Sequence, residues 1–209
     1  MSRLLVIAHP DDEVVFLWPF MEGDCSDLTI LCCTSDLNNL ERDWCKYRKR
    51  SLIKIAEIKG AEVECLDYSS DLCANLKTRR EPGMGDETAP YRMAIDHISK
   101  RIGILSSGVD YVATHNPMGE YGHLDHKLVF DTVMRSSSAE VRFTDICMPT
   151  NWQKENKIPP KIKEIFYKEK VSEHSINDNF LALGKRLYEL ENGWTWTRPI
   201  PNQCATYRI

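Results

Sequence analysis

The sequence predicts an α/β protein with a mostly parallel sheet flanked by helices, and three observations carry that prediction. Aliphatic runs of strand length recur at Leu4–Ala8, Asp27–Thr34, Ala61–Leu66 and Val109–Thr114, of the kind buried inside a parallel sheet. Longer stretches with helical spacing separate them, which is the pattern of right-handed crossovers. Two of the runs end abruptly in titratable residues, as strands do where they meet the ligand crevice of an open sheet. At 209 residues the chain fills one core. It is expected to be a single domain, with the chemically loaded motifs in residues 1–135 and residues 136–209 completing the fold and the substrate site.

The first strand stops at His9-Pro10-Asp11-Asp12-Glu13, and Val14 to Glu22 reads as a short helix interrupted by Pro19. A second strand ends in the polar loop Ser35–Asn39. Trp44, Tyr47, Leu52, Ile55 and Ile58 fall along one helical face from Glu41 to the stop at Gly60. The third strand leads into an insert from Asp67 to about Pro90, long enough to be functional or mobile. Met93, Ile95, Ile98, Ile102 and Leu105 mark the next helix. The fourth strand then runs into His115–His126, and Lys127–Arg135 reads as helix. Beyond it, Glu140–Met148 is a candidate strand, Pro159-Pro160 opens a polar helical stretch, and Phe180–Leu190 is a candidate helix.

Composition excludes several classes. A net charge of -4 gives no bulk reason to expect nucleic acid as partner. No apolar run approaches the roughly 18 residues of a membrane span, and the N-terminal strand lacks the flanks of a signal peptide, so a cytoplasmic location is expected. The eight cysteines contain no CxxC pair, which speaks against a zinc ribbon or a thioredoxin-like site; they read as small core residues rather than disulfides.

The two polar bursts combine into one site. A catalytic zinc takes three protein ligands from His and carboxylates and keeps an open position. His9 and Asp12, three apart across a strand-to-helix turn, supply two, and His126 supplies a third if the strand ends are neighbours. This His2Asp set suits Zn2+ without excluding other divalent ions. Asp11, beside a ligand, is placed as general base. His123 as an imidazolium fits an oxyanion stabiliser and a proton donor to a leaving amine; Tyr121 offers a phenol to the same oxyanion, and Asp125 fits as the carboxylate that orients a histidine. Taken singly, Asp11, Asp12 and Glu13 also fit as acids at a helix start, and one His at a strand end as a structural residue. The pairing of both motifs with strand ends favours the metal site.

Ala8-His9-Pro10-Asp11-Asp12-Glu13, together with Gly119-Glu120-Tyr121-Gly122-His123-Leu124-Asp125-His126, resembles the LmbE-like deacetylases, or PIG-L family, over about residues 3–135. The resemblance implies a Rossmann-like fold and zinc-dependent removal of N-acyl groups, commonly acetyl from N-acetylglucosamine units of a small molecule or glycoconjugate. It implies His9, Asp12 and His126 as metal ligands, Asp11 as base, His123 as acid or electrostatic stabiliser, Tyr121 as a carbonyl-polarising phenol and Asp125 as partner of the catalytic histidine. It also places Arg48 and Asp71 at sugar-hydroxyl contacts. Leu124 stands where the family usually has Pro, Ser35-Asp36-Leu37-Asn38 replaces a Gly-rich turn, and Ser51 stands where an acid is expected three residues after Arg48. Glu13 has no role beyond a structural one.

The basic runs at Lys46–Arg50 and Lys77–Arg80 read first as solvated surface and second as receivers of an anionic aglycone. Trp194 and Trp196 read as closing a core or a homo-oligomer contact rather than stacking on a sugar. The expected partner is a small-molecule amino sugar. Two alternatives stand beside it: hydrolysis of another amide, such as an amino-sugar thiol conjugate, and a non-catalytic nucleotide-binding module. No GxGxxG follows the first strand, which weighs against the module.

Overall fold

Strand β1, Arg3–Ile7, is an inner strand of the sheet, with every side chain from Leu4 to Ile7 withdrawn from solvent. Leu5 and Ile7 pack into one layer, and Leu4, Val6 and the following Ala8 into the opposite one. That period-two division is what a strand covered on both faces requires. The computed structural model describes residues 2–35, 43–68, 89–148 and 158–209, excepting the side chains of 43–46 and 89–91.

The other strands are β2 (Leu28–Thr34), β3 (Glu62–Tyr68), β4 (Tyr111–Thr114), β5 (Glu140–Thr144), β6 (Glu169–Ser175) and β7 (Gln203–Arg208), in the sheet order β3-β2-β1-β4-β5-β7-β6. Strands β1 to β5 run parallel, and β7 inserts antiparallel to both β5 and β6. From β1 the chain builds outward through β2 to β3, then crosses back to form β4 on the other side of β1. The crevice of an open sheet forms at such a reversal, above the carboxyl ends of the two strands concerned.

Besides a kinked helical turn at Gly119–Gly122, the helices among the described residues are α1 (Asp12–Val15), α2 (Asp43–Lys59), α3 (Ala89–Leu105), α4 (Leu124–Ser136), α5 (Pro160–Phe166) and α6 (Asp178–Leu190). Helix α3 covers the Leu4 and Val6 face with Ala94, Ile98 and Ile102, each four residues apart, and α4 joins it with Val129 and Val133. On the Leu5 and Ile7 face lie Leu52, Ile55 and Ala56 of α2 with Phe180 and Tyr188 of α6. Asn177 caps α6 by accepting the N–H groups of Asn179 and Phe180. Gly184 of α6 lets that helix approach α1: a Cβ there would stand 2.7 Å from Cγ2 of Val14.

Several expectations need correction. The helix expected over Val14–Glu22 is a single turn, α1, followed by a 3-10 turn at Trp18–Met21 that carries Pro19 near its start, the place where a missing N–H costs least. The strand expected over Glu140–Met148 ends at Thr144: Asp145 still donates its N–H to Ala205 O at 3.0 Å, but it receives the Ala205 N–H at 2.8 Å through its carboxylate, not its carbonyl. Strands β6 and β7 were not expected from the pattern. Among the described residues no helix is long and apolar enough to cross a membrane, and Cys25, Cys32, Cys33, Cys65, Cys147 and Cys204 are free thiols.

Candidate active site

The end of β1 turns sharply. Asp11 sits at φ 108°, ψ -19°, a left-handed conformation that is rare for a residue with a side chain and carries strain. Its N–H donates to Glu13 Oε2 at 3.0 Å, and its carbonyl accepts from Val14 and Val15, each at 3.0 Å. The other Glu13 oxygen accepts the Tyr188 hydroxyl at 2.7 Å, so the buried acid links the turn to α6. Within the turn, Asp12 Oδ2 accepts the His9 N–H at 2.7 Å, which draws its carboxylate inward.

The end of β4 supplies the opposite wall. Asn116 Oδ1 accepts the N–H groups of Met118 and Glu120 at 2.9 and 3.2 Å, winding the chain into a helical turn at Gly119–Gly122. His123 then caps α4, its Nδ1 accepting the Asp125 N–H at 3.3 Å, and His126 projects from the first turn.

At the centre, His126 Nδ1 lies 2.7 Å from Glu120 Oε2 and donates to it, leaving Nε2 as a lone pair. His9 Nε2 lies 3.3 Å from Asp125 Oδ2, which leaves its Nδ1 likewise. These two lone pairs face one another at 3.2 Å, with His126 Nε2 at 3.3 Å from Asp12 Oδ1 and His9 Nδ1 at 3.5 Å from Asp12 Oδ2. Ligand bonds of roughly 2.0–2.1 Å in tetrahedral geometry separate ligand atoms by about 3.3 Å, so this donor set fits a divalent cation. A second group, Asp12, His115 and His126, has donor atoms within 4.8 Å of one another, as has the group His9, His123 and His126. His115 Nε2 accepts the Ala8 N–H at 3.0 Å while standing 3.2 Å from Asp12 Oδ2.

Electrostatics divides the acids. Burial pushes Asp11 up to about 6, against the pull of the Arg48 guanidinium 2.9 Å away. Asp12, although burial opposes its charge, is held well below the ordinary range by His126 and His115. Burial would lower His9, yet its bonds to Asp12 and Asp125 carry it to about 10, so a cation bound at Nδ1 takes the place of a proton there. His123 goes the other way, down to about 3, through burial and the positive potential of His9 and His126. Burial and the carboxylates of Asp12 and Asp11 push the Tyr121 phenol up, so it stays protonated.

The structure therefore brings together His9, Asp11, Asp12, Tyr121, His123, Asp125 and His126. Burial and the neighbouring histidines favour the neutral form of His123, and with Nδ1 accepting the Asp125 N–H its donor is Nε2. Asp125 directs its carboxylate at His9, and touches His123 through its main-chain N–H. Arg48, expected to meet sugar hydroxyls, holds Asp11 and also donates to Gly193 O at 2.9 Å and to Thr195 Oγ1. Asp71 lies outside the described residues. Ser51 joins α2 to α6 by donating to Leu187 O. Sequence reasoning gave no role to His115 or Glu120, although both stand in the polar burst after β4. Trp196, expected to close a core or an oligomer contact, packs against the core on Phe16 and Tyr121, with ring centres 5.2 and 5.7 Å apart.

A family profile described as PIG-L, GlcNAc-PI de-N-acetylase, matches residues 4–137. Among solved structures, a deacetylase of teicoplanin biosynthesis is similar at 13% identity, with a TM-score of 0.60 and coverage of 99% of this chain and 97% of the other. The A40926 pseudoaglycone deacetylase Dbv21 is similar at 11% identity, TM-score 0.53, with 100% and 97% covered. The 4-carboxy-2-hydroxymuconate hydratase GalB of Pseudomonas putida KT2440 is similar at 14% identity, TM-score 0.50, with 100% and 96% covered. At these identities the likeness is one of fold. No curated protein matches the chain in sequence.

Proposed function

Because the chain belongs to the PIG-L, or LmbE-like, family of de-N-acetylases, we propose that it is a zinc-dependent hydrolase that removes an acetyl group from an N-acetylglucosamine-type amino sugar. One observation carries the reading: His9 Nδ1 and His126 Nε2 lie 3.2 Å apart, each within 3.5 Å of one of the two Asp12 oxygens, beside the carboxylate of Asp11. A divalent ion held there supplies Lewis acidity, which acidifies water and polarises an amide carbonyl.

The remaining steps belong to the protein. Asp11, raised to about 6, takes the proton of the attacking water, since a base serves best when its pKa lies near the working pH. His123 donates its Nε2–H, and Tyr121 its phenolic O–H, to the carbonyl oxygen as charge gathers on it. As a neutral imidazole, His123 acts as a hydrogen-bond donor. The proton that Asp11 has taken is the one the departing nitrogen needs, and its delivery completes acetate and a free amine.

The test is acetate release from a panel of N-acetylglucosaminyl compounds by the zinc-loaded protein, with metal content measured alongside. The reading expects one zinc per chain, turnover on at least one member, and an Asp11→Asn variant that keeps the zinc but loses turnover. Acetate release by Asp11→Asn at the wild-type rate would remove Asp11 as base; absence of bound zinc would remove the metal centre.

A further inference from the structure

Glu120 is fully buried, ionisable and strained, and the proposed reaction gives it no step. Its backbone lies at φ 52°, ψ -62°, where residues with a side chain rarely sit. Glycine would take that conformation without steric cost, so the position retains its side chain against a backbone penalty. The carboxylate is wholly engaged. Oε1 accepts the Asn116 N–H at 3.0 Å, while Oε2 accepts Nδ1–H of His126 at 2.7 Å and Nδ1–H of His115 at 3.1 Å. Histidines that bind metal ordinarily give their other nitrogen to such an acceptor, which fixes the tautomer and the ring orientation.

Here one oxygen does this for two rings. The imidazoles of His115 and His126 are stacked, 3.9 Å between centres and 22° between planes, and both point Nε2 toward the β1 turn. His126 Nε2 faces His9 and Asp12. His115 Nε2 holds the N–H of Ala8, the residue before His9. The two halves of the centre lie on strands more than a hundred residues apart in sequence, and this pair of rings joins them.

Given the metal centre proposed above, we infer that Glu120 is its positioning residue, fixing the Nδ1–H tautomers of His126 and His115 so that one presents a lone pair to the ion and the other anchors the β1 turn. Glutamine cannot replace it. An amide has one oxygen, and placing that oxygen toward the two rings turns its NH2 against the Asn116 N–H.

The inference is tested on Glu120→Gln by competition for Zn2+ and Co2+ against a chromophoric chelator, with thermal unfolding of the metal-free protein as control. If the wild type binds one ion, the variant should bind it about 10–100-fold more weakly; equal affinity overturns the inference and leaves the metal centre standing. Failure of the wild type to bind any ion overturns the centre instead. Independently of the variant, proton–nitrogen NMR of the metal-free wild type should find Nδ1 protonated in both His126 and His115. An unprotonated Nδ1 on His126 overturns the role of Glu120 even if Glu120→Gln fails to fold.

Discussion

Glu13 accepts the main-chain N–H of Asp11 at 3.0 Å, two residues back along the chain, and so holds the proposed base in its left-handed turn. The same carboxyl takes the Tyr188 hydroxyl, and burial pushes it up to about 8. Glutamine has the shape to keep both contacts, its oxygen receiving Asp11 and its amide reaching Tyr188. Glu13→Gln should therefore keep zinc and most of its turnover. Glu13→Ala frees the turn and leaves the Asp11 N–H without its partner, costing about 1–3 kcal/mol of stability. The expected outcome is kcat lower by about 10–100-fold, the cost of a base displaced by roughly 1 Å, with zinc content unchanged. Turnover of Glu13→Ala equal to wild type would show that Asp11 needs no such support.

Arg48 is the counter-charge of Asp11. Its guanidinium is 2.9 Å from Oδ2, and it is the leading influence lowering an acid that burial raises. Substitution by Ala or Gln removes that pull, so Asp11 titrates higher and a smaller fraction is ionised below neutrality. The acid limb of the kcat/KM profile should move to higher pH in Arg48→Gln, while activity at alkaline pH recovers toward wild type. A loss confined to KM, with the limb unmoved, would instead assign Arg48 to substrate contact.

How far the sequence reveals this architecture depends on where each signal is written. Leu4 to Ala8 are legible because burial on both faces demands an unbroken apolar run, and His9, Asp12 and His126 because they follow such runs at ligand spacing. Strand β6, EKVSEHS, is an edge strand with most of its residues exposed or half-exposed, so nothing forces an apolar pattern onto it. The service of Glu120 to two histidines depends on a kinked turn with no spacing rule. Arg48 reads as part of a basic surface run until folding brings Asp11 and Gly193 to it. Pairings made by distant segments leave no local pattern in the chain.

Gly184 allows α6 to rest on α1, one helical turn before Tyr188 reaches Glu13. A methyl group there meets Val14 Cγ2 at 2.7 Å, closer than carbon atoms tolerate. Gly184→Ala should cost about 1–3 kcal/mol, the usual penalty of overpacking, read as a lowered denaturant midpoint at constant slope. Trimming the opposing side chain should relieve it. In Gly184→Ala combined with Val14→Ala the losses should be less than additive, and strict additivity would show that the two sites do not press on each other.

Metal binding should be visible in stability as well as in turnover. His9, Asp12 and His126 bring lone pairs within 3.5 Å of one another, an arrangement that a cation relieves and the unfolded chain lacks. A ligand that binds only the folded state stabilises it by about 4 kcal/mol at a thousandfold excess over Kd. Adding Zn2+ to chelator-treated protein should raise the unfolding temperature by several degrees, by the same linkage. In His126→Ala the donor set falls to two, and the zinc-dependent rise should vanish. Asp11→Asn is the control that separates the roles, since it removes the base and leaves all three donors, and its rise should match that of the wild type. A zinc-dependent rise that survives in His126→Ala would place the ion elsewhere, whereas one that disappears in Asp11→Asn would make Asp11 a ligand and leave the reaction without its proposed base.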